Sequence, residues 1–364
     1  MDSHDPNSSY LVIPFQKGIG DQLACSSFVR NLAMNKPDST IDLAVFNDAG
    51  RDLYRYNPYV SNIRMFDIRY LNYFQLEGPY WLPQKIKFLQ RFRSYRYHTV
   101  YLLGTKIRFA LFAYMIGARE RIGYISHHGF TNSRRSLLLT KIGSSSLEKN
   151  IAERFLDLLS MDGMKIRDPF IELFLSEQEE REAGRILSEE GIVAGEQVIA
   201  LAPFAIDSRR TWPLDRFWSV ARHFAEKGLK TVILGSEREH EVIRSARLER
   251  HACIIDLTGK TNLLQTAAII KRCTLFLGND SGLGHIAGAM RADALILGYQ
   301  ATGFWYPLSP SVSTLIKRRN CPVCSFKTIK KCSNNGKSTI PCLAMITVDE
   351  VIQALEAKLG SHAH

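Results

Sequence analysis

The sequence predicts an α/β protein of two doubly wound domains. Two observations carry this. Short apolar runs that read as buried strands alternate with helical patterns along the chain, and after Asp168 the alternation starts again. Strands alternating with helices imply parallel sheets covered on both faces. The restart implies a pair of such sheets joined near residues 162–175, and facing strand ends would form a cleft.

In the first half, Tyr10–Pro14 reads as a strand, followed by a glycine loop and a helix over Leu23–Ala33. Ile41–Phe46 and Thr99–Leu103 are further strands, Lys106–Ile116 a helix before the strand Arg121–Tyr124, and Asn150–Met161 another helix. The second half opens with a charged helix, Ser176–Glu190, whose Ser176 and Glu179 have capping-box spacing. Strand Val198–Ala202, helix Leu214–Glu226, strand Thr231–Gly235 and helix Glu237–Glu249 follow. Next come strand Ile254–Leu257, helix Leu263–Lys271, strand Leu275–Gly278, helix Gly284–Met290 and strand Ala294–Gly298. The last helix, Val348–Leu359, has no obvious place in the second sheet and is expected to cross back to the first domain. The expected domains are therefore 9–168, 176–345 and a crossing tail, 346–364.

A chain of 364 residues suffices for two domains, and 45% hydrophobic content supports packed cores and excludes global disorder. Met1–Ser9 is polar and acidic, without the basic and apolar regions of a signal peptide, so a cytoplasmic protein is expected. The most apolar window, Ile107–Ala118, contains Arg108 and is too short to span a bilayer. A net charge of +11 favours an anionic partner: phosphate, nucleic acid or an acidic membrane surface. Of seven cysteines, Cys25, Cys253 and Cys273 lie in apolar contexts and read as packing residues.

Four turns carry residues suited to chemistry. In Lys17–Phe28, Gly18 and Gly20 lie between strand and helix, where they permit a tight turn and close approach by a ligand. A dinucleotide fingerprint needs a third glycine where Leu23 stands, so nicotinamide binding is not expected. Asp21 reads either as a first-turn carboxylate facing the helix dipole or as a general base at the strand mouth. In Phe276–Met290, Asn279, Asp280, Ser281 and Gly282 follow a strand and lead into a helix bearing His285. Helix-start N–H groups attract anions; Ser281 can cap the helix or reach a phosphate. Asp280 suits loop amides or a sugar hydroxyl better than a phosphate. In Asp207–Phe217, Arg209 and Arg210 precede Trp212-Pro213 and could clamp a diphosphate, or simply form a solvated basic turn. In Leu234–Glu241, Glu239 could accept from ribose hydroxyls or serve only as a first-turn carboxylate.

Taken together and in order, these pieces resemble glycosyltransferase family 9, the ADP-heptose:lipopolysaccharide heptosyltransferases. The matching stretches are GIGD, RRTWP, LTGKTNLLQTAAII and GNDSGLGHIAGAM, the most specific being GNDSG-x-x-H. The FRSYRYHTVYLLGTKIRFALFAYMIGARERIGY stretch and the C-terminal cysteines also fit. The resemblance implies a GT-B fold of two Rossmann-like domains with the active site between them. It implies metal-independent, inverting transfer from a nucleotide-sugar, with no cofactor for catalysis. Asp21 matches the family's catalytic aspartate. Asp280, Ser281, Gly282 and His285 match its donor-binding motif. Arg210 stands where the family often has Lys before Trp-Pro, and Glu239 matches a ribose-binding glutamate, with Glu241 the register alternative. Ala205 and Ile206 replace hydroxyl residues found there in some heptosyltransferases.

Two features stand outside the motifs. Cys321, Cys324, Cys332 and Cys342 have spacing that favours a structural thiolate site for zinc or iron over disulfides, and stoichiometric metal in the purified protein is the test. Lys85, Lys87, Arg91, Arg93 and Arg96 interleave with Trp81, Phe88, Phe92, Tyr95 and Tyr97, with no acid from Gln84 to His98. That pattern suits an anionic acceptor or the inner-membrane surface, or a solvated helix with its aromatics turned inward. The expected partners are a nucleotide-diphospho-sugar and an anionic glycan or glycolipid acceptor, with peripheral membrane contact and no nucleic acid. A protein acceptor, or nucleotide-sugar binding without catalysis, is the alternative.

Overall fold

The computed structural model describes residues 9–71, 81–124, 136–143, 149–246, 248–299, 303–317, 332 and 339–361. It divides into two compact units, Met1–Phe174 and Leu175–His364.

The first unit is a parallel sheet of six strands: β1 Ser9–Ile13, β2 Thr40–Val45, β3 Asn62–Met65, β4 Thr99–Leu102, β5 Glu120–Tyr124 and β6 Lys141–Gly143, in the order β3-β2-β1-β4-β5-β6. β1 and β4 are apolar runs with both faces covered, as a central parallel pair requires. Leu11, Ile13, Val100 and Leu102 pack against Phe66, Phe88, Phe92, Phe109 and Phe112. Phe66 is the hub, with Phe112 edge-on at 4.9 Å and Phe88 at 5.3 Å between centroids. The helix expected over Leu23–Ala33 is instead two, Ile19–Leu23 and Ser26–Asn35. The short strands β3 and β6 were not visible in the sequence, since four and three residues carry too little periodicity to stand out. Arg30, Asn31 and Asn35 lace the following connector onto the second of those helices through the carbonyls of Asp168, Phe170 and Lys165.

The second unit repeats the plan with β7 Val198–Ala202, β8 Lys230–Ile233, β9 Ile254–Asp256, β10 Leu275–Asn279, β11 Ala294–Gly298 and β12 Val312–Ile316, in the order β12-β11-β10-β7-β8-β9. In both sheets the chain first builds outward to one side and then returns to the other. The order therefore reverses between β1 and β4 in one unit and between β7 and β10 in the other. Such reversals open a crevice at the carboxyl ends of the two strands, where α/β sheets bind ligands.

The final helix, Val348–Ser361, corrects an expectation. Its described contacts lie in the second unit. Val351, Ile352 and Leu355 join the core of Trp212, Phe217, Leu275 and Leu277, while Glu356 meets His223 of the helix Leu214–Glu226 and Lys227 at its C-cap. The helix covers the apolar face that this helix and β10 leave open. Among the described residues no helix is long and apolar enough to cross a membrane.

Candidate functional site

In the first unit the switch-point loop is built around Gln22. Its side chain is fully buried and donates to the Lys17 carbonyl (3.0 Å) and to Asn47 Oδ1 (3.1 Å), while Tyr54 donates to its carbonyl at 2.6 Å. This network fixes the turn between β1 and the helix Ile19–Leu23, in whose first turn Asp21 sits half-buried. Gly18 is extended, with φ −66° and ψ 151°, so a positive φ is not its reason. A Cβ there would lie 2.6 Å from Asp21 Oδ2, so glycine makes room for the carboxylate. Gly20 lies within the helical turn itself. Beneath, Cys25 donates to the Asp21 carbonyl at 3.5 Å, and burial raises its thiol well above the ordinary range, consistent with a packing role.

In the second unit two loops meet at the reversal between β7 and β10. Asn279, at the end of β10, is fully buried; its Oδ1 accepts the Trp212 N–H at 2.8 Å and its Nδ2 donates to the Pro203 carbonyl at 2.8 Å. Trp212 in turn donates from Nε1 to the Ile346 carbonyl at 3.0 Å. The loop that carries Arg210 is thereby stitched to the strand that carries Asp280. Arg210 Nη2 donates to the Asp280 carbonyl at 2.8 Å and lies 3.5 Å from its Oδ2, with the guanidinium over the Tyr299 ring. Arg209 turns away, its guanidinium held by both oxygens of Asp207. Of the two arginines, only Arg210 joins the site.

The helix after β10 runs Gly282–Ala289 with Ser281 at its N-cap, yet Ser281 makes no side-chain cap bond. Ser281 Oγ and His285 Nδ1 are buried and have no hydrogen-bond partner among the described residues. Buried polar atoms are nearly always satisfied, so such a pair at a sheet switch point makes this a candidate ligand site. Gly284 allows this close packing: a Cβ there would sit 3.0 Å from Ile296 Cδ1 and 3.2 Å from the Asn279 carbonyl. Burial sets the protonation states. It pushes the Asp280 carboxyl up to about 6, with Arg210 opposing. It pushes His285 down to about 4, with a hydrogen bond to the Trp305 main chain opposing and Arg210 reinforcing. His285 is therefore neutral at pH 7.

Glu239 lies at the carboxyl end of β8, where its Oε2 accepts the Ser236 N–H at 2.6 Å and its hydroxyl at 2.9 Å. It closes a capping box on the helix Glu237–Ser245, the plainer of its expected roles. Glu241 is exposed in an ion pair with Arg244. Ile206 is fully exposed.

The family profile described as glycosyltransferase family 9 (heptosyltransferase) matches residues 85–334. The chain belongs to glycosyltransferase family 9. Lipopolysaccharide heptosyltransferase 2 of Escherichia coli K12 is 24% identical over 301 residues, 80% of this chain and 83% of its own length. The solved ADP-heptose LPS heptosyltransferase II of Escherichia coli superposes with a TM-score of 0.74 at 23% identity, over 98% of this chain and 100% of that one. The family 9 glycosyltransferase of Veillonella parvula gives 0.79 at 21%, over 99% and 100%. The fold is thus GT-B, and this family 9 member is a glycosyltransferase.

Of the residues that the family 9 sequence singled out, Arg210, Asp280, Ser281, Gly282 and His285 come together at the switch point of the second unit, and Asp21 stands at that of the first. Sequence reading named Asn279 without giving it a role and passed over Gln22, the two residues that hold the loops. Polar residues inside an apolar strand end or helix were the available signal. Cys321 and Cys324 lie outside the described residues; Cys332 is exposed and Cys342 half-buried. Of the basic stretch, Phe88, Phe92 and Tyr97 are core residues and Lys85 is buried, while Lys87, Arg91, Arg93 and Arg96 are exposed.

Proposed function

We propose that this family 9 enzyme moves a heptose from ADP-heptose to a sugar of a lipopolysaccharide core, with inversion and without a catalytic metal. The names of its curated relatives, lipopolysaccharide heptosyltransferases 2 and 3, support the substrate class. The buried, unpartnered Ser281 Oγ and His285 Nδ1 beside Arg210 carry the reading of a donor site. Arg210 and the first N–H groups of the helix Gly282–Ala289 hold the diphosphate. His285 is neutral and gives its one ring N–H to the Trp305 main chain, so its Nδ1 accepts from a donor hydroxyl and adds no charge. Asp280 orients Arg210 and the loop. In the first unit, Asp21 takes the proton of the acceptor hydroxyl as that oxygen bonds to the anomeric carbon. The bond from that carbon to the phosphate oxygen breaks, and the nucleoside diphosphate departs with the electron pair.

ADP and ADP-heptose should raise the melting temperature, and Asp21→Asn should keep that shift while transfer falls about 10²–10⁴-fold. Transfer by Asp21→Asn at the wild-type rate would remove Asp21 as the base. No shift with any nucleotide or nucleotide-sugar would remove the donor site.

The helix Leu82–Ser94 supports peripheral contact with an anionic membrane. Trp81, Leu82 and Ile86 are 54%, 54% and 44% exposed, next to exposed Lys87 and Arg91. Sedimentation with anionic liposomes should exceed that with neutral ones; equal binding would refute the contact.

A further inference from the structure

The helix Ile19–Leu23, which bears Asp21, has only five residues. A single turn makes too few internal bonds to offset the order it imposes, so it does not hold its own place. Groups outside the helix set its position, and they lead to a buried ion pair. We infer that Arg30 and Glu172 are positioning residues for Asp21: through Ser26 they fix its helix to the connector that ends the first unit. This rests on the proposed reading of Asp21 as the base and adds what holds that base in place.

The grip runs bond by bond. Ser26 is fully buried, and its hydroxyl donates to the carbonyl of Leu23, the last residue of the Asp21 helix, at 2.7 Å. The same oxygen accepts the Glu172 N–H at 2.9 Å, so one hydroxyl joins the helix to a residue 146 positions later. From another side Tyr54 grips the Gln22 carbonyl. Burial, with Cys25 and Glu172 adding, raises the Tyr54 hydroxyl well above its ordinary range, so it keeps the proton it donates.

Arg30 locks the connector end of this chain. Its side chain is 5% exposed and that of Glu172 16%, and Nη1 pairs with Oε2. Arg30 Nη2 donates to the carbonyls of Asp168 at 2.8 Å and Phe170 at 2.9 Å, and lies 3.1 Å from Asp168 Oδ2. Phe174, at the end of the unit, stands edge-on to Tyr59 with centroids 6.0 Å apart. Stability alone is a poor reason for such a pair. Desolvation of two buried charges largely offsets their attraction, and apolar residues of similar size often serve a core as well. The pair adds direction. Arg30 meets a carboxylate and two carbonyls along fixed N–H directions, which gives Glu172, and with it Ser26, one position. A general base needs that precision: it must reach the acceptor hydroxyl at hydrogen-bond distance, and a misplacement of about 1 Å costs up to about 10²-fold in rate.

The test uses Ser26→Ala, which cuts the bridge, and Arg30→Met and Glu172→Gln, which break the ion pair. In each, kcat should fall about tenfold while both KM values stay within about twofold and the ADP-induced melting shift is intact. Arg30→Lys should recover part of kcat. Residues that only support the fold would lower the urea midpoint and leave kcat per folded molecule unchanged. A kcat within about twofold of wild type in folded Ser26→Ala, or in both folded ion-pair variants, overturns the inference. Ser26→Ala removes only a hydroxyl oxygen, so it remains a test even where Arg30→Met does not fold. Hydrogen exchange reads the same link without the reaction. Amides of residues 19–25 should exchange about tenfold faster in Ser26→Ala than in wild type, with those of β1 and β4 unchanged. Unaltered exchange at 19–25 overturns the link. Faster exchange there in a protein whose wild type transfers no heptose upholds the link and sinks only the proposed reaction.

Discussion

Asp280 and His285 lie in one short loop-helix segment, and burial moves them in opposite senses. The folded His285 value, about 4, lies below its ordinary 6.5, so the unfolded chain binds that proton first as pH falls. Its contribution to stability is lost between pH 6.5 and 4. The folded Asp280 value, about 6, lies above the ordinary 3.8, so the folded chain binds that proton first. Its contribution is present at low pH and lost as pH rises through 6. The two oppose each other, and wild type should show little net slope from them. Asp280→Asn should unmask His285, losing about 3 kcal/mol of stability from pH 7 to 4, whereas His285→Gln should gain stability over the same range. Urea denaturation at pH 7, 5 and 4 measures this; parallel curves for both variants would contradict the assignment. The residue types of this pair were legible in GNDSG-x-x-H. Their protonation states were not, because desolvation depends on neighbours that chain order does not name.

At the scale of elements, the long apolar strands and the helices with strong caps were legible, and several bounds agree to the residue, such as Val198–Ala202, Leu214–Glu226 and Ala294–Gly298. The helix after the first strand was misread because its break at Ala24-Cys25 uses neither Gly nor Pro. Glu239 serves its helix as a cap, and we propose that it also serves a ligand. Both of its cap bonds fall on Oε2, so Oε1 is the oxygen a ribose hydroxyl could reach. Glu239→Ala should cost about 1 kcal/mol through the lost cap and weaken ADP binding about tenfold. Unchanged ADP affinity in a calorimetric titration would leave Glu239 as a cap alone.

At the scale of the whole molecule, each unit carries its own core and its own switch point, and the second core depends on the end of the chain. Leu355 is fully buried with Val351 against the Trp212 cluster. Leu355→Ala should destabilise by about 2–5 kcal/mol, read as a lower denaturation midpoint with earlier exposure of Trp212 fluorescence. A midpoint equal to wild type would show that the helix Val348–Ser361 does not support this core.

By itself the sequence determined the strand–helix alternation, the two-unit plan and the residue types of each turn, because period, turn chemistry and residue type are local properties. Only the tertiary structure decided which of these residues meet. It placed Arg210 on Asp280, seventy positions later in the chain, and turned Arg209 onto Asp207. It also laid the last helix on the second core. Coulomb interaction and desolvation act through space, and the space is set by strand order, which no local pattern encodes.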